Sequence, residues 1–234
     1  DMLPNKPKSQ YRIEAGILYV ISYNFKNGHT CVPLEKLFTP SCDLLGESRE
    51  NIEIAIDNLK QNKKIIIKEI NNRDFVFIPE AYHAEMSIAN RIKVLLKFPP
   101  ENPIDVKSYI DKLEKTCNIQ YADKQKDAII TAVNKGILIL TGGPGTGKTT
   151  TLNGIITMFE KDHLDIALCA PTGRAAQRMT EATGRKATTI HRLLEVEWGN
   201  GNKPVFKRNL RNPLDCQAVI VDEMSMVDIF LFQS

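Results

Sequence analysis

Nowhere in the 234 residues is there an uninterrupted apolar run of the ~18 residues that a membrane-crossing helix needs, so no membrane association is expected. The opening DMLPNKPKSQ lacks the apolar core of a secretory signal. It also begins on Asp1 rather than methionine, which reads as a start inside a longer protein. Five cysteines, at 31, 42, 117, 169 and 216, are scattered, odd in number and never spaced C-x-x-C. That pattern argues against a zinc ribbon or a disulfide framework and leaves the reduced thiols of a cytoplasmic protein as the expectation. A strong charge of either sign is missing as well. The net charge of +3 neither demands nor excludes a nucleic acid, so its distribution carries the information. Apolar and charged fractions of 42% and 25% are those of a soluble globular protein, long enough for one large or two small domains.

What is present centres on Gly136–Thr150, GILILTGGPGTGKTT. Ile137–Leu140 reads as a buried strand, the glycines as a turn, and Thr150–Phe159 as a helix. Gly142, Gly147, Lys148 and Thr149 fit the phosphate-loop spacing G-x-x-x-x-G-K-[ST]. Glycines let successive backbone N–H groups turn inward onto phosphate oxygens, and the following helix adds the positive end of its dipole. The expected nucleotide-binding set is Gly143, Pro144, Gly145, Thr146, Gly147, Lys148, Thr149 and Thr150. Lys148 is expected to reach the β- and γ-phosphates of ATP, and the Thr149 hydroxyl to bind Mg²⁺. Upstream, Asp123 is expected to cap a helix whose buried stripe is Ala128, Ile129, Ala132 and Val133. Gln125, in the first turn of that helix, carries the donor and acceptor that an adenine edge requires.

Residues 11–98 read as a small domain of their own. Ile13, Ile17, Val20 and Ile21 form one helical face, stopped by Asn27-Gly28. A short strand is expected at His29–Val32, and a second helix is expected to open at Pro33–Phe38 with Pro33 in its first turn. A third helix, Ser48–Asn62, carries the stripe Ile52, Ala55, Ile56 and Leu59. The runs Ile65–Ile70 and Phe75–Ile78, linked by Asn71–Asp74, read as a hairpin. Helices followed by a hairpin suggest a winged helix-turn-helix module. Its third helix carries Glu47, Arg49, Glu50, Glu53, Asp57 and Lys60, too acidic for a major-groove reader, so a structural or protein-partner-binding wing is favoured. His29 and His83 read as surface or core-edge residues. Glu80–Lys97 reads as a long helix with Ile88, Ala89, Ile92, Leu95 and Leu96 on one face, Phe98–Pro103 as a linker, and Asp105–Cys117 as a further helix.

Beyond the loop, strand and helix alternate, which implies a parallel α/β sheet. Asp165–Ala170 is a strand, Arg174–Thr183 a helix, Thr188–Leu194 a short helix, Ala218–Asp222 a strand, and Val227–Phe232 the start of a helix. Asp222 at the end of its strand is the expected Mg²⁺ ligand and Glu223 the general base for the attacking water. Between the two motifs, from Pro171 to Arg211, lie Arg174, Arg178, Arg185, Lys186, Arg192, Lys203, Lys207, Arg208 and Arg211 against only Glu181, Glu195 and Glu197. Such a stripe suits a phosphate backbone, with Thr172, Thr188 and Thr189 as neutral contacts. Val196–Trp198 and Val205–Lys207 read as a hairpin across Gly199–Asn202. Trp198 near its tip suits either base stacking or cover for the hairpin's own apolar side.

Together these motifs resemble the RecD-like DNA helicases of superfamily 1, the family of the exodeoxyribonuclease V alpha subunit. The resemblance rests on Gly142–Thr150, Ala170–Ala176 (APTGRAA), Thr189–Leu194 (TIHRLL) and Val221–Asp228 (VDEMSMVD), with Asp123–Ile129 similar to the family's glutamine motif. It implies an α/β fold: an incomplete RecA-like P-loop NTPase sheet preceded by a winged-helix-like α+β domain. The expected division is 1–103 and 104–234, with 195–208 a hairpin insertion that acts as a strand-separating pin. It implies an ATP-driven motor moving 5′→3′ on single-stranded DNA, with Lys148 and Glu223 catalytic, Gln125 on adenine, and Thr172, Arg174 and His191 near the DNA. Family members place ATP between two RecA-like domains, the second supplying arginines to the transferring phosphate. These residues therefore read as part of a longer helicase, binding nucleotide and hydrolysing it slowly or not at all. A P-loop phosphotransferase and a nucleotide-gated adaptor remain as alternatives. DNA-stimulated hydrolysis separates the helicase from both.

Overall fold

The structure, a computed structural model, describes residues 10–100, 105–199 and 204–234. Its contacts divide the chain into two compact units, residues 1–89 with 228–233, and residues 90–227 with Ser234. Among the described residues no helix is long and apolar enough to cross a membrane.

The first unit is built on three helices and a small sheet. Helix α1 (Gln10–Lys26) buries Ile13, Ile17, Val20 and Ile21, the stripe its sequence spacing predicts. Strand β1 is Cys31–Pro33, and α2 is Glu35–Leu45. Pro33 does not open α2. It ends β1 at the sheet's edge, opposite Phe75, where its missing N–H costs no ladder bond. Helix α3 (Arg49–Gln61) is capped by Ser48, whose hydroxyl accepts the Asn51 N–H at 3.4 Å, and it buries Ile52, Ala55, Ile56 and Leu59. Strands β2 (Ile66–Ile70) and β3 (Arg73–Phe77) pair antiparallel, with β3 central between β1 and β2. The turn is tighter than expected. Only Asn71 and Asn72 lie outside the strands, at φ 52° and 60°, the two left-handed positions of a hairpin turn that matches strand twist.

Helix α4 (Pro79–Lys97) runs as predicted, but its stripe does not. Ala81 and Ala84 are buried, while Leu95 and Leu96 are 45% and 57% exposed. The backbones also come close there. A Cβ on Gly136 would stand 2.5 Å from the Leu95 carbonyl oxygen. Residues 101–103 of the expected linker lie outside the described residues.

The second unit carries α5 (Val106–Cys117), capped by Asp105, then α6 (Asp123–Asn134) and α7 (Lys148–Lys161). Ile129 and Val133 of α6 join Val106, Ile110, Leu113, Tyr121, Ile155 and Met158 in one core. The α6–α7 approach is close at Gly154, where a Cβ would meet Ile129 Cδ1 at 2.7 Å and the Tyr121 hydroxyl at 2.8 Å. The sheet is parallel: β4 (Ile166–Ala170) lies between β5 (Ala187–Thr189) and β8 (Ala218–Val221). This is the partial RecA-like sheet expected of a P-loop NTPase. Helix α8 (Gly173–Thr183) connects β4 to β5, and α9 (Ile190–Leu193) follows β5. Thr188 and Thr189 thus belong to a strand and not to a helix, because they pair with Cys169 and Ala170. The hairpin is β6 (Val196–Trp198) with β7 (Pro204–Phe206), and its tip at 200–203 lies outside the described residues. A 3₁₀ turn (Met224–Met226) and α10 (Ile229–Gln233) follow β8.

One expected strand is absent. Ile137–Leu140 forms no ladder, and Ile139 is 81% exposed. An apolar run becomes a strand only beside a neighbour with free N–H and C=O groups, and among the described residues none pairs with it.

Candidate nucleotide-binding site

The loop Gly142–Gly147 ends on a left-handed residue. Gly147 sits at φ 78°, ψ 25° and caps α7, and Gly145 is also left-handed at φ 73°. Gly147 is crowded as well, since a Cβ there would lie 2.3 Å from Gln125 Nε2. Its carbonyl gathers three donors: the Thr151 N–H at 3.0 Å, the Thr151 hydroxyl at 3.0 Å, and Gln125 Nε2 at 3.3 Å. Thr151 is buried, and sequence spacing alone had not marked it. The signal for it was its place one helical turn beyond Gly147, where a threonine hydroxyl reaches the i−4 carbonyl. Within the loop, the Thr146 hydroxyl donates to the Gly143 carbonyl at 2.9 Å. Lys148 folds back over the loop and donates from Nζ to the carbonyls of Gly142 at 2.5 Å and Gly143 at 2.8 Å. Pro144 lies in the exposed turn between them, and Thr149 and Thr150 are exposed in the first turn of α7.

Gln125 therefore holds the site together from α6. Its Oε1 accepts the Ala122 N–H at 2.9 Å while its Nε2 reaches the loop. Ala122, not Asp123, is the cap residue of α6, and the glutamine supplies the side-chain bond that alanine lacks. A second brace runs below: Lys126 Nζ meets the Glu114 carboxylate at 2.9 Å, and Glu114 Oε1 accepts the Tyr121 N–H at 2.8 Å. Hydrogen bonding from Lys126, then from Tyr121, draws the Glu114 carboxyl below its ordinary value.

The acidic pair stands at the carboxyl end of β8. Asp222 Oδ1 accepts the Glu223 N–H at 2.9 Å. Glu223 is left-handed at φ 52°, a costly conformation for a residue with a Cβ. One carboxylate and the Thr149 hydroxyl would supply an all-oxygen donor set. It suits Mg²⁺, which binds through few protein ligands and fills its remaining positions with water and phosphate oxygens.

Strands β4, β5 and β8 run in register, Ala170 beside Thr189 and Cys169 beside Val221, so Thr172, Thr189 and Asp222 leave the same end of the sheet. Cys169 is buried there, and burial with the nearby Cys216 pushes its thiol up to about 11. The Thr172 hydroxyl caps α8 by accepting the Ala175 N–H at 3.2 Å, and Thr189 caps α9 through the Arg192 N–H at 3.2 Å. Each hydroxyl keeps its own proton to donate outward. Arg174 is exposed in the first turn of α8, and His191 packs its ring 6.0 Å from that of Phe206 in β7.

The basic stripe is thinner than its composition implies. Arg208 pairs with Glu195 at 2.8 Å and Asp215 at 3.1 Å, and Lys207 with Glu197 at 2.7 Å. Arg185 grips Glu160 of α7 with Nε on Oε1 and Nη2 on Oε2, the latter at 2.6 Å. That hydrogen bonding draws the Glu160 carboxyl below its ordinary 4.5. A depressed folded value means the pair's stabilisation is complete above the ordinary carboxylate range and fades as pH falls through the depressed one. Glu160→Gln is expected to cost about 0.5–1 kcal/mol at pH 7, the scale of a half-exposed pair, with the difference closing in paired thermal melts as pH falls below the ordinary carboxylate range.

Residues 125–234 match the AAA domain family. The chain is 36% identical over 152 residues to the "ATP-dependent RecD2 DNA helicase" of Deinococcus radiodurans, covering 65% of this chain and 20% of that protein. It is 27% identical over 251 residues to the "RecBCD enzyme subunit RecD" of Buchnera aphidicola subsp. Schizaphis graminum, covering 92% and 40%. It is 36% identical over 147 residues to the subunit of the same name from Haemophilus influenzae, covering 53% and 22%. The chain thus spans between 20% and 40% of the length of these relatives. With the phosphate loop and the Asp-Glu pair both inside the matched region, the chain belongs to the RecD-like family of superfamily 1 helicases.

Proposed function

We propose that the chain is the ATP-binding part of a 5′→3′ DNA helicase that uses Mg-ATP and tracks single-stranded DNA. The observation that carries the reading is the loop: a left-handed Gly147 opens α7, with Lys148 laid across the carbonyls of Gly142 and Gly143. In the proposal Gly143–Thr150 cradle the phosphates, and Lys148 exchanges those carbonyls for phosphate oxygens. Gln125 presents its remaining amide hydrogen and lone pair to adenine. Thr149 and Asp222 hold Mg²⁺, which when bound neutralises charge on the β- and γ-phosphate oxygens. Glu223 takes a proton from the water whose oxygen bonds to the γ-phosphorus as the bond to the bridging oxygen breaks. ADP and phosphate are the products.

Thr172, Arg174 and His191 are assigned to the DNA strand. Support comes from their common end of the sheet and from Arg174, which no ion pair engages among the described residues. The hairpin is assigned as the pin. The domains are assigned as 1–103 and 104–234, the first binding a protein partner rather than duplex DNA. In support, Arg49 of α3 is already bound to Glu35 at 3.2 Å and Glu53 at 2.9 Å and stacked 4.2 Å over Phe38. Because the chain spans at most 40% of the relatives described, turnover by these residues alone is expected to be slow.

Trp198, the sole tryptophan, is 67% exposed at the hairpin and offers a direct test. Titration with oligothymidylate is expected to quench its fluorescence saturably, with an affinity that falls steeply as salt rises. Absence of both quenching and salt-dependent binding would remove DNA from the proposal.

A further inference from the structure

Helix α8 carries two exposed arginines, Arg174 and Arg178, one turn apart on the same face. Arg174 lies in the first turn, beside the Thr172 cap. Arg178 points the other way in function: its Nη1 stands 4.0 Å from Oε1 of Glu223. That distance is an ion pair without a hydrogen bond. The other carboxylate within a turn of Arg178, Glu181, is occupied by Gln177 Nε2 at 3.0 Å. Glu223 itself sits on a left-handed backbone, with its N–H bound to Asp222 Oδ1. The acidic side chain assigned to water activation is thus drawn toward a helix whose first turn is assigned to DNA.

We infer that Arg178 is a positioning residue that holds Glu223 aside until DNA phosphate on the Arg174–Arg178 face of α8 draws the guanidinium away. The inference rests on the reading of Glu223 as general base. A rigid helix carrying both arginines makes the coupling local: a phosphate that reaches Arg174 is within one helical turn of Arg178. An exposed pair biases a side chain by only a few-fold, about fivefold at most, so the device modulates turnover rather than gating it fully.

The test is ATP turnover by the intact protein, at saturating nucleotide, without DNA and at saturating single-stranded DNA. Arg178→Ala and Arg178→Gln are expected to raise the DNA-free rate about two- to fivefold and to shrink the stimulation ratio, while Arg178→Lys retains the parent's ratio. Matching thermal melts identify folded variants, and both alanine and glutamine suit an exposed helix position. A folded Arg178→Gln protein with the parent's DNA-free rate and ratio overturns the inference. If Glu223→Gln hydrolyses ATP as the parent does, the general-base reading fails instead; an inactive Glu223→Gln beside an unaltered Arg178→Gln fails only the positioning role.

Discussion

Lys148→Ala is expected to lower ATP turnover by the intact protein about 10²–10³-fold, the scale of removing one preorganised electrostatic donor. The substitution removes a side chain that spans the loop, bonded now to the Gly142 and Gly143 carbonyls. Its effect on folding is expected to be small, since those bonds lie on exposed backbone that water satisfies equally well. Affinity should fall more for ATP than for AMP, because the lost ammonium faces the terminal phosphates. Steady-state hydrolysis with calorimetric titration of both nucleotides checks this. Equal losses for AMP and ATP would place the lysine elsewhere than on the terminal phosphates.

Glu223→Gln is expected to do something different: turnover falls about 10²–10⁴-fold while nucleotide binding persists. Glutamine preserves the shape of the side chain and the strained φ of 52° but cannot accept the water's proton. The same change deletes the charge facing Arg178 at 4.0 Å. Binding of DNA should therefore be unimpaired, and the variant should accumulate bound to ATP and DNA together. Single-turnover hydrolysis with a separate binding assay resolves the two effects. Loss of nucleotide affinity in step with turnover would make Glu223 a ligand or scaffold rather than a base.

Much of the first unit follows from local rules. The α1 stripe and the α3 stripe of Ile52, Ala55, Ile56 and Leu59 each involve residues close in sequence, so pattern and structure agree, and the hairpin turn between β2 and β3 is only shorter than expected. Disagreements arise where a distant partner decides. Ile137–Leu140 has the composition of a strand and no ladder neighbour among the described residues. Pro33 has the look of a helix start, but Phe75 claims it for the sheet. Thr188 and Thr189 look helical until Cys169 and Ala170 pair with them.

The site divides the same way. Spacing marks Gly147, Lys148 and the Asp222-Glu223 pair, because a phosphate loop and a strand-end carboxylate are local devices. It does not reveal that Gln125 and Thr151 converge on one Gly147 carbonyl, 22 and 4 residues away. Nor does it reveal that four of the nine basic residues from Pro171 to Arg211, Arg178, Arg185, Lys207 and Arg208, are already matched by carboxylates among the described residues. Charge counted along a chain overstates the charge a ligand meets.

The central claim is that Gly142–Thr149 binds the phosphates of a nucleotide. Calorimetric titration of this 234-residue chain with AMP, ADP and Mg-ATP tests it most directly, beside Lys148→Ala. Affinity that climbs with each added phosphate, and that loses this climb in the variant, is the predicted result. Equal affinity for all three, or a climb that survives loss of Lys148, would contradict it.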